Sequence, residues 1–227
     1  MKAAAGRGLK LIKRADGESG LPKIGGLAAV YYSDSDKEGT QYHLWDNVFE
    51  RIGPDAFKNA VGRDDVRALR DHDPRLLLGR SVSGTLRLDL RTEGLGYEIE
   101  TPDTSAGRDA IESLNRGDLD GSSFSFLPEP DGVVWSEEIV NVAGVDVSLY
   151  IRTITAVVLY DVGPVTFPAY TGTSSAVRSA AGRADFRNES AERGRIQDEL
   201  SKVISARDAQ ESAARYRRLR MAELAGM

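Results

Sequence analysis

Cysteine is absent from this 227-residue chain, and histidine occurs only twice, at His43 and His72. Without thiols there is no disulfide framework, no cysteine-based metal site and no thiolate nucleophile. A nucleophilic mechanism would have to use a hydroxyl, and an imidazole base can come from only two positions. Long apolar runs are also missing, none reaching the roughly 18 residues that span a bilayer. The basic start, Met1-Lys2-Ala3-Ala4-Ala5-Gly6-Arg7-Gly8, is not followed by the apolar stretch of a signal peptide. A soluble, unexported protein is the expectation. Net positive charge is lacking too: the formal charge is -5, whereas phosphate contacts normally demand a basic surface. Neither a nucleic acid nor a membrane is expected as a partner.

What is present points to strands. The chain carries 23 glycines, 41% hydrophobic and 29% charged residues, an ordinary soluble composition with many turns. Its length allows one core with an appendage, and a mostly β or α+β core follows. Leu9–Lys13 reads as an edge strand and Lys23–Tyr32 as a second, with Gly25-Gly26 marking a bulge or a close backbone approach. Pro54 and Gly62 frame two short turns in which Ala56, Phe57 and Ala60 face the core. Leu86, Leu88 and Leu90, then Leu95, Tyr97 and Ile99, alternate with polar residues around Glu93-Gly94 as a hairpin. Thr104 or Ser105 caps a helix to about Arg116 that Gly117 stops. Further on, Trp135 opens another strand, Val147–Thr153 and Ile154–Val162 read as a long β pair, and Gly163–Tyr170 closes the core. After about Ser174 the composition turns to Ala, Arg, Glu and Ser, and Ile196, Leu200, Val203 and Ile204 follow helical spacing.

The chemistry concentrates in two stretches. Gly121–Phe126 places Ser123 and Ser125 on one side of a strand and Phe124 and Phe126 on the other. Arg70-Asp71-His72-Asp73-Pro74 puts a histidine where a strand gives way to a loop, a frequent address for functional side chains. A serine hydroxyl is a poor nucleophile at neutral pH and needs a base, for which imidazole is suited. His72 then needs a carboxylate to hold its tautomer, and Asp71, Asp73 and Asp161 are all candidates. His43, among Tyr42 and Trp45, reads as a packed ring. Asp71-His72-Asp73 makes a poor metal site, because consecutive residues do not converge on one ion. No metal or cofactor is expected. A small-molecule esterase would need a Gly-x-Ser-x-Gly elbow, which is absent.

The ordered series Glu50–Phe57, His72-Asp73, Leu78-Gly79-Arg80, Gly94-Leu95, Gly117–Phe126, Leu159-Tyr160-Asp161-Val162 and Phe167-Pro168-Ala169 resembles the prohead maturation proteases of tailed phages of the HK97 type. The resemblance spans roughly residues 23 to 175. It implies a serine endopeptidase with the herpesvirus-assemblin-like α+β fold, a compact, mostly antiparallel β-barrel with flanking helices, here followed by a C-terminal helical tail. By position His72 matches the family's histidine, Ser123 its nucleophile and Asp161 its acidic position. The departures are Asp161 where glutamate is usual, Gly163 for serine, Ser122 for a larger apolar residue and Ser125 for glycine. The implied domains are an N-terminal extension over 1–22, the protease over 23–175 and a charged, removable tail over 176–227. The implied partners are the major capsid protein, a scaffold protein or scaffolding segment, and a second copy of the chain. The implied setting is the assembling procapsid in the host cytoplasm. The competing reading is a catalytically silent capsid-assembly module that keeps the fold for binding.

Overall fold

A computed structural model describes residues 9–16, 18–142, 144–168 and 186–225. The basic start, the last core-closing residues Ala169 and Tyr170 and the composition change near Ser174 lie outside them. The chain forms two compact units, Met1–Arg178 and Ser179–Met227. The second contains one long helix, Phe186–Ala225, which takes in the helically spaced positions from Ile196 onward.

The first unit is built from three four-stranded sheets. In the first, β1 (Lys10–Ile12) and β2 (Lys23–Val30) continue into the hairpin of β7 (Leu86–Leu90) and β8 (Gly94–Ile99), in the order β1-β2-β8-β7. That hairpin pairs Leu88 with Tyr97 as the alternation predicts. A Cβ on Gly25 would meet Tyr97 O at 3.0 Å, so the expected close approach is real. The second sheet orders β10 (Val133–Val142), β11 (Val145–Ile154), β4 (Val48–Ile52) and β3 (Gln41–Trp45). The third orders β6 (Leu77–Arg80), β5 (Arg67–Leu69), β12 (Val157–Val165) and β9 (Gly121–Pro128).

Pairing is mostly antiparallel, with β11–β4 and β12–β5 parallel. The expected barrel is not closed among the described residues. Closure requires every strand to be paired on both edges, and here each sheet ends in two edge strands. The proposed pairing of Val147–Thr153 with Ile154–Val162 is also corrected. Both segments are strands, but β11 pairs with β10 and β12 with β9, so Thr155 and Ala156 carry the chain from one sheet to another.

One core unites the sheets: Ile24 and Tyr97 from the first, Ile52 and Ile154 from the second, and Ala68, Phe124 and Leu159 from the third. Phe57 joins it, fully buried, from turns rather than a helix, with Ala56 and Ala60 beside it as the spacing predicts. Among the described residues of this unit two α-helices flank the sheets, α1 (Lys37–Thr40) and α2 (Ser105–Arg116). In α2 the Thr104 hydroxyl accepts the Gly107 N–H, and Gly117, at φ 78°, ends the helix in the left-handed region open to glycine.

Candidate active site

The third sheet assembles the site, beginning with β9. Period-2 alternation turns Ser122, Phe124 and Phe126 to one side and Ser123 and Ser125 to the other. Phe124 meets Phe57 edge-on at 5.3 Å and stacks on Phe126 at 5.1 Å, which commits that side to the core. Ser122 points there as well, its Oγ 2.9 Å from the Tyr97 hydroxyl. Burial pushes the Tyr97 hydroxyl well above its ordinary range, partly countered by this bond to Ser122. Ser123 is only 5% exposed, and its hydroxyl has no hydrogen-bond partner among the described residues.

On the neighbouring strand β12, a bulge decides which way the acid points. Leu159 pairs with Phe126 and Asp161 with Ser125, so Tyr160 is the extra residue. Without it, Asp161 would share the core-facing side of Leu159. The bulge reverses the phase and re-aims the next side chain, as bulges beside functional sites do. Asp161 and Gly163 then lie on the face of Ser125 and Ser123, their ladder partners, while Val162 returns to the core beside Phe124.

The histidine arrives on β5, parallel to β12 with Arg67 opposite Asp161 and Ala68 opposite Val162. Beyond Leu69 the chain turns through Asp71 and His72, both left-handed at φ 53° and 56°. Two non-glycine residues in succession with positive φ carry strain, which surrounding bonds must hold. The Asp71 N–H donates to Pro164 O at 3.0 Å, and the Thr166 N–H donates to Asp71 Oδ1 at 2.6 Å. These bonds tie the loop to the 164–166 end of β12. Ser123, opposite Gly163, stands nearer that end than Ser125 does.

His72 Nδ1 lies 2.5 Å from Asp161 Oδ1. The imidazole is about one-third exposed, whereas the Asp161 side chain is 10% exposed. With Asp161 ionised, Nδ1 donates and Nε2 keeps its lone pair, the tautomer of a general base. The other two candidate acids are occupied elsewhere. Asp71 accepts from Thr166, and Asp73 pairs with Arg75 at 2.6 Å, whose hydrogen bonds hold its carboxyl at about 2. His43 Nε2 meets the Asp46 carbonyl at 2.7 Å and its ring lies 4.9 Å from Phe49, away from this group. Among the described residues no cluster of His, Asp and Glu could hold a metal ion.

A histidine held by a buried aspartate, with an unpartnered serine on the same sheet face, is the equipment of acyl transfer. A family model described as caudovirus prohead serine protease matches residues 11–185. The chain belongs to this family. It is therefore a serine endopeptidase, and prohead proteases act in phage capsid maturation, on capsid and scaffold proteins. Searches of curated proteins and of solved structures each found no match. The span of the prohead protease match contains β2 to β12 with His72, Ser123 and Asp161, and the long helix begins at the residue after it.

Two features escaped sequence reasoning: the bulge at Tyr160 and the clamp made by Asp71. A bulge has no fixed composition, but Leu159 and Asp161 two apart in one strand, one apolar and one acidic, were a signal of broken alternation.

Proposed function

We propose that Ser123 is the nucleophile, His72 the general base and Asp161 the acid that orients His72, in a protease that cleaves a scaffold protein or the scaffolding segment of the major capsid protein. In the first step Ser123 Oγ attacks the scissile carbonyl as His72 Nε2 takes its proton. Asp161 offsets the charge gained by the ring. The tetrahedral intermediate, its oxyanion held by backbone N–H groups, collapses as the protonated His72 passes that proton to the leaving amine. Water then attacks the acyl-enzyme with His72 again as base, releasing the carboxylate product and restoring Ser123.

The observation that carries this reading is the His72–Asp161 contact on the sheet face that Ser123 shares. Ser123 is favoured over Ser125 because the loop carrying His72 is tied to the end of β12 nearer Ser123. Ser122 is spent on Tyr97. The family match and the three-sheet core support an assemblin-like protease domain over 23–175. We assign autocleavage to the same site, near the start of the 176–227 tail, and the setting to the procapsid within the host cytoplasm.

The test is co-expression with the cognate capsid protein, comparing wild type, Ser123→Ala and His72→Ala by intact mass. Both substitutions should abolish processing of the capsid protein and of the protease while procapsids still assemble. Unchanged processing in either variant removes that residue from the mechanism.

A further inference from the structure

Gly163 sits opposite Ser123 and two residues from Asp161, on the face the three share. Its φ is not positive, so its backbone does not call for glycine. Space does. A Cβ there would lie 1.9 Å from the Leu69 carbonyl oxygen, 2.9 Å from its carbonyl carbon and 3.1 Å from its nitrogen. These are backbone atoms, which cannot swing aside as a side chain would. The Leu69 peptide thus occupies the place of a side chain at 163. Two residues on, Asp71 is bonded to Pro164 and Thr166, and His72 meets Asp161 at 2.5 Å.

We infer that Gly163 is a positioning residue, and that its missing side chain and the short carboxylate of Asp161 are a matched pair. The inference rests on the catalytic roles proposed above. Bare backbone at 163 lets the exit of β5 settle so close to β12 that His72 meets an aspartate. With an alanine at 163, Leu69 must retreat from 1.9 Å to at least 3.0 Å, a shift of 1.1 Å or more. His72, three residues along, would be carried out of reach of Asp161. One further methylene adds about 1.5 Å of reach, so glutamate at 161 would close that gap, and would overshoot when glycine remains. A displacement of about 1 Å at a reacting group can cost about 100-fold in rate.

The test uses the full chain, reading the rate of serine labelling by a fluorophosphonate probe and the downfield Nδ1–H resonance expected of a carboxylate-bound histidine. Gly163→Ala and Asp161→Glu alone should each slow labelling about 10- to 100-fold, and G163A should lose the resonance. The double variant should return to within about 10-fold of wild type and regain the signal. Losses that simply multiply, or a single variant running at the wild-type rate, would overturn the pairing. Should G163A not fold, D161E decides: a wild-type rate refutes the match, and a slowed rate that the double variant restores supports it. If labelling survives Ser123→Ala and His72→Ala in the parent chain, the catalytic assignment has failed instead.

Discussion

Replacing Asp161 by asparagine tests the proposed mechanism at its most specific contact. The amide has nearly the same shape, so packing around this buried position is kept while the negative charge is removed. His72 gains its proton only in the transition state, so the charge matters there and not in substrate binding. Two unit charges about 4 Å apart at an effective dielectric of about 20 interact by about 4 kcal/mol. Because the ring is one-third exposed, solvent screening reduces that to about 2–3 kcal/mol. At about 1.4 kcal/mol per decade this is a loss of about 30- to 150-fold in kcat, with KM little changed. Asparagine can also present its NH2 to Nδ1 and favour the wrong tautomer, so the loss can exceed this range. The fluorophosphonate labelling rate reads the activation of Ser123 without a known substrate, and thermal unfolding monitors the fold. Labelling of D161N at the wild-type rate, with Tm unchanged, would refute the role given to Asp161.

The serines separate by face, Ser122 from the other two, and by position along β9, Ser123 from Ser125. Ser125→Ala should label within a few-fold of wild type and Ser123→Ala not at all, whereas Ser122→Ala should remain active but lose about 1–3 kcal/mol in urea unfolding as the Tyr97 hydroxyl loses its partner. Equal loss of labelling in S123A and S125A would contradict the choice of Ser123 by its place opposite Gly163, nearer the loop that carries His72. Phe57→Ala should cost about 3–5 kcal/mol, since the ring is fully buried against Phe124 and Tyr31; a cost below about 1 kcal/mol would mean the core is packed otherwise. Asp64 gives a pH prediction. Burial pushes its carboxyl up, but hydrogen bonds from Arg63 and the Leu159 N–H outweigh this and hold it below the usual range. The folded value being the lower, its stabilisation is present above the unfolded value of about 3.9 and fades as pH falls through the folded one. The Tm gap between wild type and Asp64→Asn should therefore narrow in acid. A gap unchanged from about pH 6 to about pH 3 would exclude this linkage.

Local elements were legible where side-chain period and capping agree. The hairpin from Leu86 to Ile99 follows from alternation alone, and α2 from Thr104 and Gly117. The pair β3–β4 is not among the strands read from the sequence, although Asp46-Asn47 between two half-apolar runs is a two-residue turn signal, and Asp46 does take a positive φ of 45°. The partners of β11 and β12 were not legible, because neighbouring strands in sequence pair in most folds and here Gly132, through bonds from Thr155 and Ala156, helps redirect the chain between sheets. The proposed base and nucleophile, His72 and Ser123, came forward from the scarcity of histidine and the strand of serines taken together with the family resemblance. The acid did not. Three aspartates competed, and the choice depends on the parallel register of β5 with β12 over a separation of some ninety residues, which no local pattern encodes.

That register also explains why strained backbone persists at the site. Asp71 and His72 both hold left-handed conformations, at a cost of about 1–3 kcal/mol each. The bond that the Asp71 N–H donates to Pro164 O and the one its carboxylate accepts from the Thr166 N–H offset part of it, each worth about 1 kcal/mol net. The remainder falls on core packing: Ala68 and Leu78, on the strands before and after the loop, are buried in the same core as Val162 and Phe124. The loop that carries His72 is thus held by the sheet rather than by its own sequence. Perturbations of β12, whether at the Tyr160 bulge, Gly163 or Pro164, should reach His72 before they reach the core.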